Sequence, residues 1–316
     1  MSRLQRLVRR VHAIGTHQCF AFDALSLIEG EAGQRLRRWL VRHYRAYFRG
    51  AVDPDVRFRD FHNHVLHARE GFWGGAARVG ERWYQRLRDH LRAERFRDAA
   101  HAAGVLSHYI TDMLQPLHTA SDRRESLVHR PMEWSVENCY DEIMAMRREM
   151  GLRVEIQLSS RESWIGELMV EAARLSERRF DELVQRYRFQ DGIEDPRSGL
   201  DPFARQSLAE LFAIAITAWA RVLERVANEC ESESGYPIPG CHLGSATMGA
   251  YLTSPVAWWR RRLRYRFETT AIRSLAEEYF RTGQLRDNLP AEVDIKQRVI
   301  KVYHSERRDE IRCRAA

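Results

Sequence analysis

Apolar side chains recur every three or four residues along nearly the whole chain, which is the spacing that places them on one face of an α-helix. The pattern predicts helices in 18–48, with a break near Gly30 and Gly33, and then in 76–114, 129–147, 162–188 and 207–229. Residues 76–114 contain two helices, and the second, 96–114, is apolar nearly all round and should be central. Pro116 ends it, because proline has no amide hydrogen to donate. We therefore predict an all-α fold.

Two short segments and one turn-rich stretch interrupt this pattern. The segments 154–158 and 299–303 alternate apolar and polar residues, so each could form a short strand or the edge of a loop. The stretch 232–245 is rich in Gly, Pro and Ser, which favours a linker. The predicted organisation is a domain in 1–231, a linker in 232–245 and a basic C-terminal extension of unknown role in 246–316.

The composition is that of an ordinary globular protein, with 44% hydrophobic residues in a chain of 316, and it excludes a disordered one. The formal net charge of +7 favours anionic partners such as phosphate esters, nucleic acid or an anionic membrane surface. The five cysteines form no CxxC pair, which argues against a disulfide framework and favours a reducing compartment. The sequence has no run of about 18 apolar residues and no apolar signal-peptide core. We therefore expect a cytoplasmic protein, either free or peripheral to a membrane.

The chemically most informative stretch is HYITDMLQPLH, which begins at His108 on the central predicted helix. His108 and Asp112 are four residues apart and share one face of that helix, and His118 follows just beyond its end. Downstream, His129 and Glu133 form a second pair with the same spacing. An ionisable group on a buried helix costs several kcal/mol when it has no partner. Divalent zinc would neutralise such a mixed set of imidazoles and carboxylates.

The same residue types cluster nearer the N-terminus. The stretch GAVDPDVRFRDFHNHVLH contains Asp55 and three histidines, His62, His64 and His67, and His17 lies at a predicted helix start. A single His–Asp pair on a helix is more often structural than metal-binding, and Asp55 after a proline is typical of a turn. The convergence of several such groups in one chain is what favours a metal centre.

Together these residues resemble the signature of the zinc-dependent phospholipase C and S1/P1 nuclease superfamily. The segment from His108 to His118 matches its HY-x2-D-x2-QP-x-H motif, and His129 with Glu133 matches its second pair. The resemblance implies a multi-helix, all-α bundle around two or three zinc ions, followed here by a C-terminal helical extension. The metal ligands that it implies are His17, Asp55, His64, His108, Asp112, His118, His129 and Glu133.

The resemblance also implies how these ligands are shared. One zinc would be held by Asp55, His64, His108 and Asp112, a second by His118, His129 and Glu133, and a third by Asp112 and His17. His62 and His67 remain competing choices for His64. In the family the third zinc is also bound by an N-terminal Trp, whereas no Trp precedes His17 here. A third ion therefore stays open, with His12 as an alternative ligand.

The activity that the resemblance implies is that of a zinc-dependent, phospholipase C-like phosphoric-ester hydrolase. A metal-activated hydroxide would cleave a phosphodiester, and Asp55 would orient or deprotonate the attacking water. The substrate would be a phospholipid or another phosphodiester, with an S1/P1-like nuclease acting on nucleic acid as the alternative. Trp73 and Trp134 could serve a lipid-contacting rim or base stacking, or simply pack in the core.

A different class of function depends on the C-terminal region. Residues 255–267 contain two tryptophans among five arginines, a pattern typical of a helix on a membrane surface. In this interpretation zinc holds the helices together, and the chain is a non-catalytic, zinc-stabilised binding or scaffold protein that uses its basic C-terminal region. The alternative is a helix whose tryptophans pack on the main domain and whose arginines are solvated. The oligomeric state does not follow from the sequence.

Overall fold

The computed structural model describes residues 2–291 and 293–299, and most of them are helical. In chain order, the α-helices are α1 Arg3–Leu7, α2 Thr16–Asp23, α3 Glu31–Arg42, α4 Tyr44–Gly50, α5 Ala76–Arg92, α6 Phe96–Asp112, α7 Glu125–Glu149, α8 Trp164–Glu177, α9 Phe180–Arg186, α10 Phe189–Glu194, α11 Pro202–Ser234 and α12 Gly244–Thr282. Within the described ranges, β-type pairing is limited to one isolated bridge between His67 and Trp73. The predicted all-α fold is confirmed.

Of the two possibilities left open for 154–158, the structure has the loop edge. This segment is extended but unpaired among the residues that the structure describes, and its side chains alternate between partly buried and exposed. Leu152, just before the segment, and Leu158, at its end, pack against the helical core. The alternating pattern therefore comes from a loop that lies along helices. The second candidate, 299–303, falls outside the described residues apart from Val299.

Helix boundaries differ from the predicted ones where a regular apolar pattern runs through a turn. The break predicted near Gly30 is present, since α3 begins at Glu31, but Gly33 lies inside α3 and a further turn at His43 divides α3 from α4. The predicted helix 162–188 is divided between α8 and α9. In each case the apolar stripe continues across the break because both pieces pack on the same core, so periodicity alone does not reveal the turn.

Helix α6 lies at the centre of the fold, as its all-round apolar pattern predicts. It packs against α4 and α5, and apart from His101 every residue from Ala99 to its end is buried. A Cβ atom on Gly104 would lie 2.1 Å from the carbonyl oxygen of Tyr47, and one on Gly50 would lie 2.1 Å from that of His101. Glycine at both positions therefore permits the close approach of α4 and α6, which brings the residues after α4 beside the C-terminal end of α6.

Helix α11 is long and apolar enough to cross a membrane by length and composition alone, and within the described residues it is the one helix that meets this test. However, 78% of its most apolar window is buried inside the protein, where it packs on α3 and α7. This is the environment of a core helix, which passes the same test.

Helix α12 packs along the N-terminal segment and against α3, α7 and α10. It ends at Gly283, which has a left-handed φ of 70° and can adopt it without strain. The chain then turns back on itself, because the Glu278 carboxylate accepts hydrogen bonds from the backbone N–H groups of three residues in the segment 286–288. The predicted division into domain, linker and extension stays a prediction.

Candidate metal centre

Three turns and three helices bring the predicted ligands together at one end of α6. His108 and Asp112 lie on the last turn of α6, and the π-helical turn Pro54–Phe58 and the 3-10 turn Phe61–His64 carry Asp55 and His64 to them. The 3-10 turn Pro116–His118 folds the chain back after α6, so that His118 faces α7. The structure therefore brings all eight predicted ligand side chains together in three neighbouring groups, two of which share His108.

The first group consists of Asp55, His64 and His108, beside Asp112. The Oδ1 atom of Asp55 lies 3.5 Å from both His64 Nδ1 and His108 Nε2. The Oδ2 atom of Asp112 lies 3.3 Å from His64 Nδ1 and 3.2 Å from His108 Nε2. Asp55, His64 and His108 can each offer an atom to one ion, and Asp112 Oδ2 lies beside both imidazoles.

The second group consists of His118, His129 and Glu133. The Oε1 atom of Glu133 lies 3.2 Å from His118 Nε2 and 3.5 Å from His129 Nε2. All three side chains can offer an atom to one ion. The predicted same-face pair on α7 and the histidine from the turn after α6 therefore meet.

The third group joins His17, at the start of α2, to Asp112 and His108. His17 Nε2 lies 3.4 Å from Asp112 Oδ1, the carboxylate oxygen that faces away from the first group. His118 Nε2 lies 4.0 Å from this same oxygen. Asp112 is consequently the one carboxylate that touches all three groups among the described residues.

Hydrogen bonds fix which ring nitrogen His108 and His129 turn toward the centre. His108 Nδ1 donates to the carbonyl oxygen of Ala51 at 2.9 Å, which leaves Nε2 as the inward-facing atom. His129 Nδ1 donates to Glu125 Oε1 at 2.5 Å, which does the same for its Nε2. Such outer partners orient metal-bound histidines and raise their basicity. The sequence analysis did not single out Glu125, although it lies four residues before His129 on the same helix face.

Asp60 is a second supporting residue that the sequence analysis did not select. Its carboxylate accepts a hydrogen bond from the Tyr109 hydroxyl at 2.9 Å and lies 3.6 Å from His64 Nε2. It therefore lies beside the outward-facing nitrogen of the ring whose Nδ1 faces Asp55, as a charged neighbour and not as a hydrogen-bond partner. The spacing of four residues between Asp60 and His64 was the available signal, but a 3-10 turn gave no reason to apply helical spacing there.

Unsatisfied polar atoms indicate that the cluster is built for a cation. Both oxygens of the fully buried Asp112 and the Nε2 atom of His129 have no hydrogen-bond partner in the described structure. Buried polar atoms are nearly always partnered, and an unpartnered buried carboxylate is especially costly. The orphaned atoms are oxygens and nitrogens that point at common centres, which is the donor set that zinc prefers. The residues therefore fit a zinc site.

Electrostatics in the metal-free protein lead to the same conclusion. Burial alone would lower the pKa values of His64 and His129, but neighbouring carboxylates raise both well above the usual value. Burial raises the pKa of Asp112, yet the surrounding imidazoles hold it well below the usual value. By contrast, burial and the nearby His108 lower the pKa of His17 to about 4. In the absence of metal, protons on these imidazoles thus balance the carboxylate charge that bound cations would otherwise balance.

The competing histidines lie elsewhere. The His62 ring packs edge-on against Trp73, and His67 contacts Trp73 and the ammonium of Lys296, 3.3 Å from its Nδ1. His12 Nε2 lies 2.9 Å from the carbonyl oxygen of Ala250, so His12 joins α12 and does not enter the cluster. The structure thus brings His64, and not its neighbours, to the centre.

A cleft of about 490 Å³ opens onto the cluster. Its floor includes the side chains of His17, Asp55, His118, His129 and Glu133. Apolar side chains form much of the wall, and they include Phe20, Val52, Val56, Phe61, Leu114 and Trp134. Trp134 is buried and its ring packs on Tyr265 of α12, so it belongs to the wall and does not offer a free face. Trp73 does not line this cleft.

The C-terminal region completes the cleft. Arg264 of α12 donates to both oxygens of Glu137 at 3.1 and 2.8 Å, and Arg130 donates to Glu268 at 3.0 Å. All four charged side chains line the cleft, as does the segment 287–291. Sequence reasoning missed these residues, because nothing in the sequence indicates that side chains more than 120 positions apart meet here.

Comparison with known proteins agrees with the geometry. A model of the zinc dependent phospholipase C family matches residues 16–189. This range contains all eight predicted ligands and more than half of the chain. No curated protein matches the chain.

Proposed function

Because the chain belongs to the zinc-dependent phospholipase C family, whose members are zinc phosphoesterases, we propose that it cleaves the phosphodiester of a phospholipid. The observation that supports the proposal is the convergence of three ligand groups on the floor of one cleft. Zinc, when bound, would supply a Lewis acid for phosphoryl oxygens and lower the pKa of water toward neutrality.

The proposed ligands divide as the three groups do. Asp55, His64 and His108 would hold one ion together with Asp112, and His118, His129 and Glu133 would hold a second. His17 and the outer oxygen of Asp112 offer a third position with fewer protein ligands. We therefore propose two firmly held zinc ions, with the third dependent on ligands beyond this group.

Asp55 has a different proposed role from the other ligands. Its side chain is 43% exposed, whereas His64, His108 and Asp112 are fully buried. It is thus the carboxylate of the first group that an attacking water in the cleft can reach, so it can orient that water and accept its proton. The Nδ1 atoms of His108 and His129 are occupied by hydrogen bonds to Ala51 and Glu125. These two histidines would therefore serve as metal ligands and not as proton acceptors.

The shape of the cleft favours a phospholipid headgroup over a nucleic acid. A nuclease that binds single strands needs aromatic faces on which bases stack, but Trp134 is covered by Tyr265. The segment 287–291 and α12 line one side of the cleft, whereas a long strand would need a groove open at both ends. The apolar wall suits the glycerol and upper acyl carbons that follow a headgroup phosphate.

The test compares substrates on the zinc-loaded, full-length protein. We expect release of diacylglycerol from phosphatidylcholine in mixed micelles, loss of this activity with a chelator and its recovery with zinc. Asp55→Ala should abolish turnover. Asp53→Asn is the matched control, since Asp53 is a buried carboxylate that pairs with His101 at 2.7 Å, outside the three groups.

Two results would contradict the proposal. Cleavage of single-stranded DNA or RNA without lipid hydrolysis would assign the cleft to a nuclease. Failure to cleave any phosphodiester by a protein that carries zinc would leave a zinc-stabilised scaffold protein.

A further inference from the structure

Helix α12 has a second apolar face that nothing in the described structure covers. Its inner face is packed through buried residues that include Ala250, Ala257 and Ile272. Ten large hydrophobic side chains on α12 are exposed, and they include Tyr251, Trp258, Tyr265 and Phe280. The other six are exposed by between 42% and 72% of their surface: Met248, Leu252, Val256, Trp259, Leu263 and Phe267. Their spacing of three or four residues puts them on one line, roughly opposite the inner face and about 29 Å long at 1.5 Å per residue. We call this line the outer stripe.

The charges beside the outer stripe are all of one sign. From Gly244 to Phe267 the helix has five arginines and no Asp or Glu. Arg261 and Arg264 turn inward, to the carbonyl oxygen of Ala13 and to Glu137. The other three, Arg260, Arg262 and Arg266, are exposed and form no ion pair within the described ranges. The outer stripe is therefore flanked by guanidinium groups that are free of ion pairs among the described residues, although that of Arg262 lies over the Trp258 ring at 5.5 Å.

We propose that the outer stripe docks on the surface of an anionic phospholipid bilayer. Trp and Arg are suited to this boundary, because the indole ring and the arginine stem contact acyl chains while their polar ends reach the headgroups. A helix with Trp, Phe and Leu on one face and arginines beside them is typical of one lying in the plane of the interface. Anionic headgroups would neutralise the three free arginines.

A second copy of this chain fits the outer stripe less well. Pairing through this face would bring the arginines of two helices together, and residues 244–267 contain no acidic side chain that could neutralise them. Uncompensated like charges across an interface disfavour association. Charge complementarity thus favours an anionic bilayer over a second copy of the chain as the partner of the outer stripe.

The position of α12 links docking to the proposed function. Arg264 and Glu268, on the same helix, line the cleft that opens onto the ligand groups. A docked α12 would hold this cleft beside the headgroup layer, a role that rests on the proposed phospholipase activity. Membrane binding itself is a separate observable.

The experiment measures co-sedimentation of the zinc-loaded, full-length protein with vesicles of phosphatidylcholine alone or mixed with phosphatidylglycerol. We expect binding to the anionic vesicles that weakens as salt is raised. The double substitution Leu252→Ser with Trp259→Ser should reduce the vesicle partition coefficient at least tenfold. Leu175→Ser with Met150→Ser, at exposed apolar positions outside α12, is the matched control and should bind like the unchanged protein.

A second pair of variants isolates the charge. Arg262→Gln with Arg266→Gln should bind anionic vesicles several-fold more weakly and lose most of the salt dependence. Arg153→Gln with Arg178→Gln removes two exposed arginines elsewhere and should change neither property. Every altered side chain is exposed, so each variant should retain the thermal unfolding midpoint of the unchanged protein. Measuring this midpoint excludes misfolding as the cause of weaker binding.

The proposal is overturned if the stripe variant binds as well as the unchanged protein, or if anionic vesicles bind no better than neutral ones. A dimer that the stripe variant abolishes, without vesicle binding, would identify a second copy as the occupant. Vesicle binding without lipid hydrolysis supports docking and refutes the phospholipase. Hydrolysis of soluble short-chain lipid without vesicle binding supports the phospholipase activity and refutes docking.

Discussion

At the scale of single residues, Asp112 carries the strongest prediction. Its two oxygens lie within 4.0 Å of ring nitrogens from four histidines, and neither has a hydrogen-bond partner among the described residues. Asp112→Asn removes the charge that all three groups share. We expect it to lower the zinc content by at least one ion and phosphodiester turnover by more than about a hundredfold, since even outer-shell changes at metal sites cost about 10- to 100-fold. Metal analysis and a small phosphodiester assay measure both.

The control for this variant is Asp23→Asn. Asp23 also pairs with cationic and hydroxyl groups, from Arg9 at 2.7 Å and Tyr140 at 3.1 Å, but it belongs to none of the three groups. Its replacement should lower stability without lowering zinc content. Equal zinc content in both variants would refute the assigned role of Asp112.

The structure brings the residues selected from the sequence together, but the sequence left the choice within 62–67 open. His108 and Asp112 were readable because they lie on a regular helix, where spacing determines direction. His62, His64 and His67 lie in short 3-10 turns and loops, where spacing carries no such information. The choice of His64 depends on its contacts with Asp60 and Tyr109, which are properties of the folded chain.

At the scale of helices, the close contact between α4 and α6 determines the geometry of the centre. Gly104→Ala would put a Cβ atom 2.1 Å from the Tyr47 carbonyl oxygen. The helices must then separate, which moves Ala51 away from His108 Nδ1. We expect a loss of about 1–3 kcal/mol or more in the free energy of unfolding, together with weaker zinc binding. Urea denaturation and zinc titration test this.

Gly166→Ala is the matched control for Gly104→Ala. Gly166 lies in α8, and a Cβ atom there would meet nothing within 4 Å. Alanine should therefore stabilise the protein by about 0.5–1 kcal/mol, because glycine loses more backbone entropy in a helix. A loss of stability at Gly166 comparable to that at Gly104 would mean that packing distance is not the cause.

The segment 286–291 gives a second prediction at this scale. The carboxylate of Glu278 holds it through three backbone N–H groups and the side chain of Asn288. Glu278→Ala removes these hydrogen bonds, so the segment should move more freely and the cleft that it lines should widen. We expect kcat/KM to rise for a bulky phosphodiester relative to bis(p-nitrophenyl) phosphate, whereas Glu277→Ala, at an exposed neighbour, should leave the ratio unchanged. An unchanged ratio in Glu278→Ala would exclude this segment as a determinant of cleft width.

At the scale of the whole molecule, the fold was more predictable than the cleft. The apolar period of the chain is a local property, and it predicted α5, α6 and α11 within a few residues. The cleft is a product of distant contacts, such as Arg264 with Glu137 and Arg130 with Glu268. Partly buried charges of this kind have no periodic signature, so a single sequence cannot identify their partners.

Zinc and pH should act together on the stability of the whole protein. In the zinc-free protein the pKa values of His64 and His129 are raised, so their contribution is fully present below about pH 6.5, the unfolded value, and is lost as pH rises. The pKa of Asp112 is lowered, so its contribution is present above about pH 3.9 and is lost on acidification. The zinc-free protein should therefore be most stable at mildly acidic pH and weaken toward alkaline pH.

Zinc reverses this trend, because it binds the deprotonated imidazoles and so competes with protons. At a free concentration about a hundredfold above Kd, one ion adds about 2.7 kcal/mol, which raises Tm by about 5 °C in a chain of this size. The Tm difference between zinc-loaded and chelator-treated protein should thus be small near about pH 5 and grow toward about pH 8, where the imidazoles give up their protons. Calorimetry across this range measures it. A constant difference would mean that the metal binds without displacing protons from the histidines, which is incompatible with the geometry of the cluster.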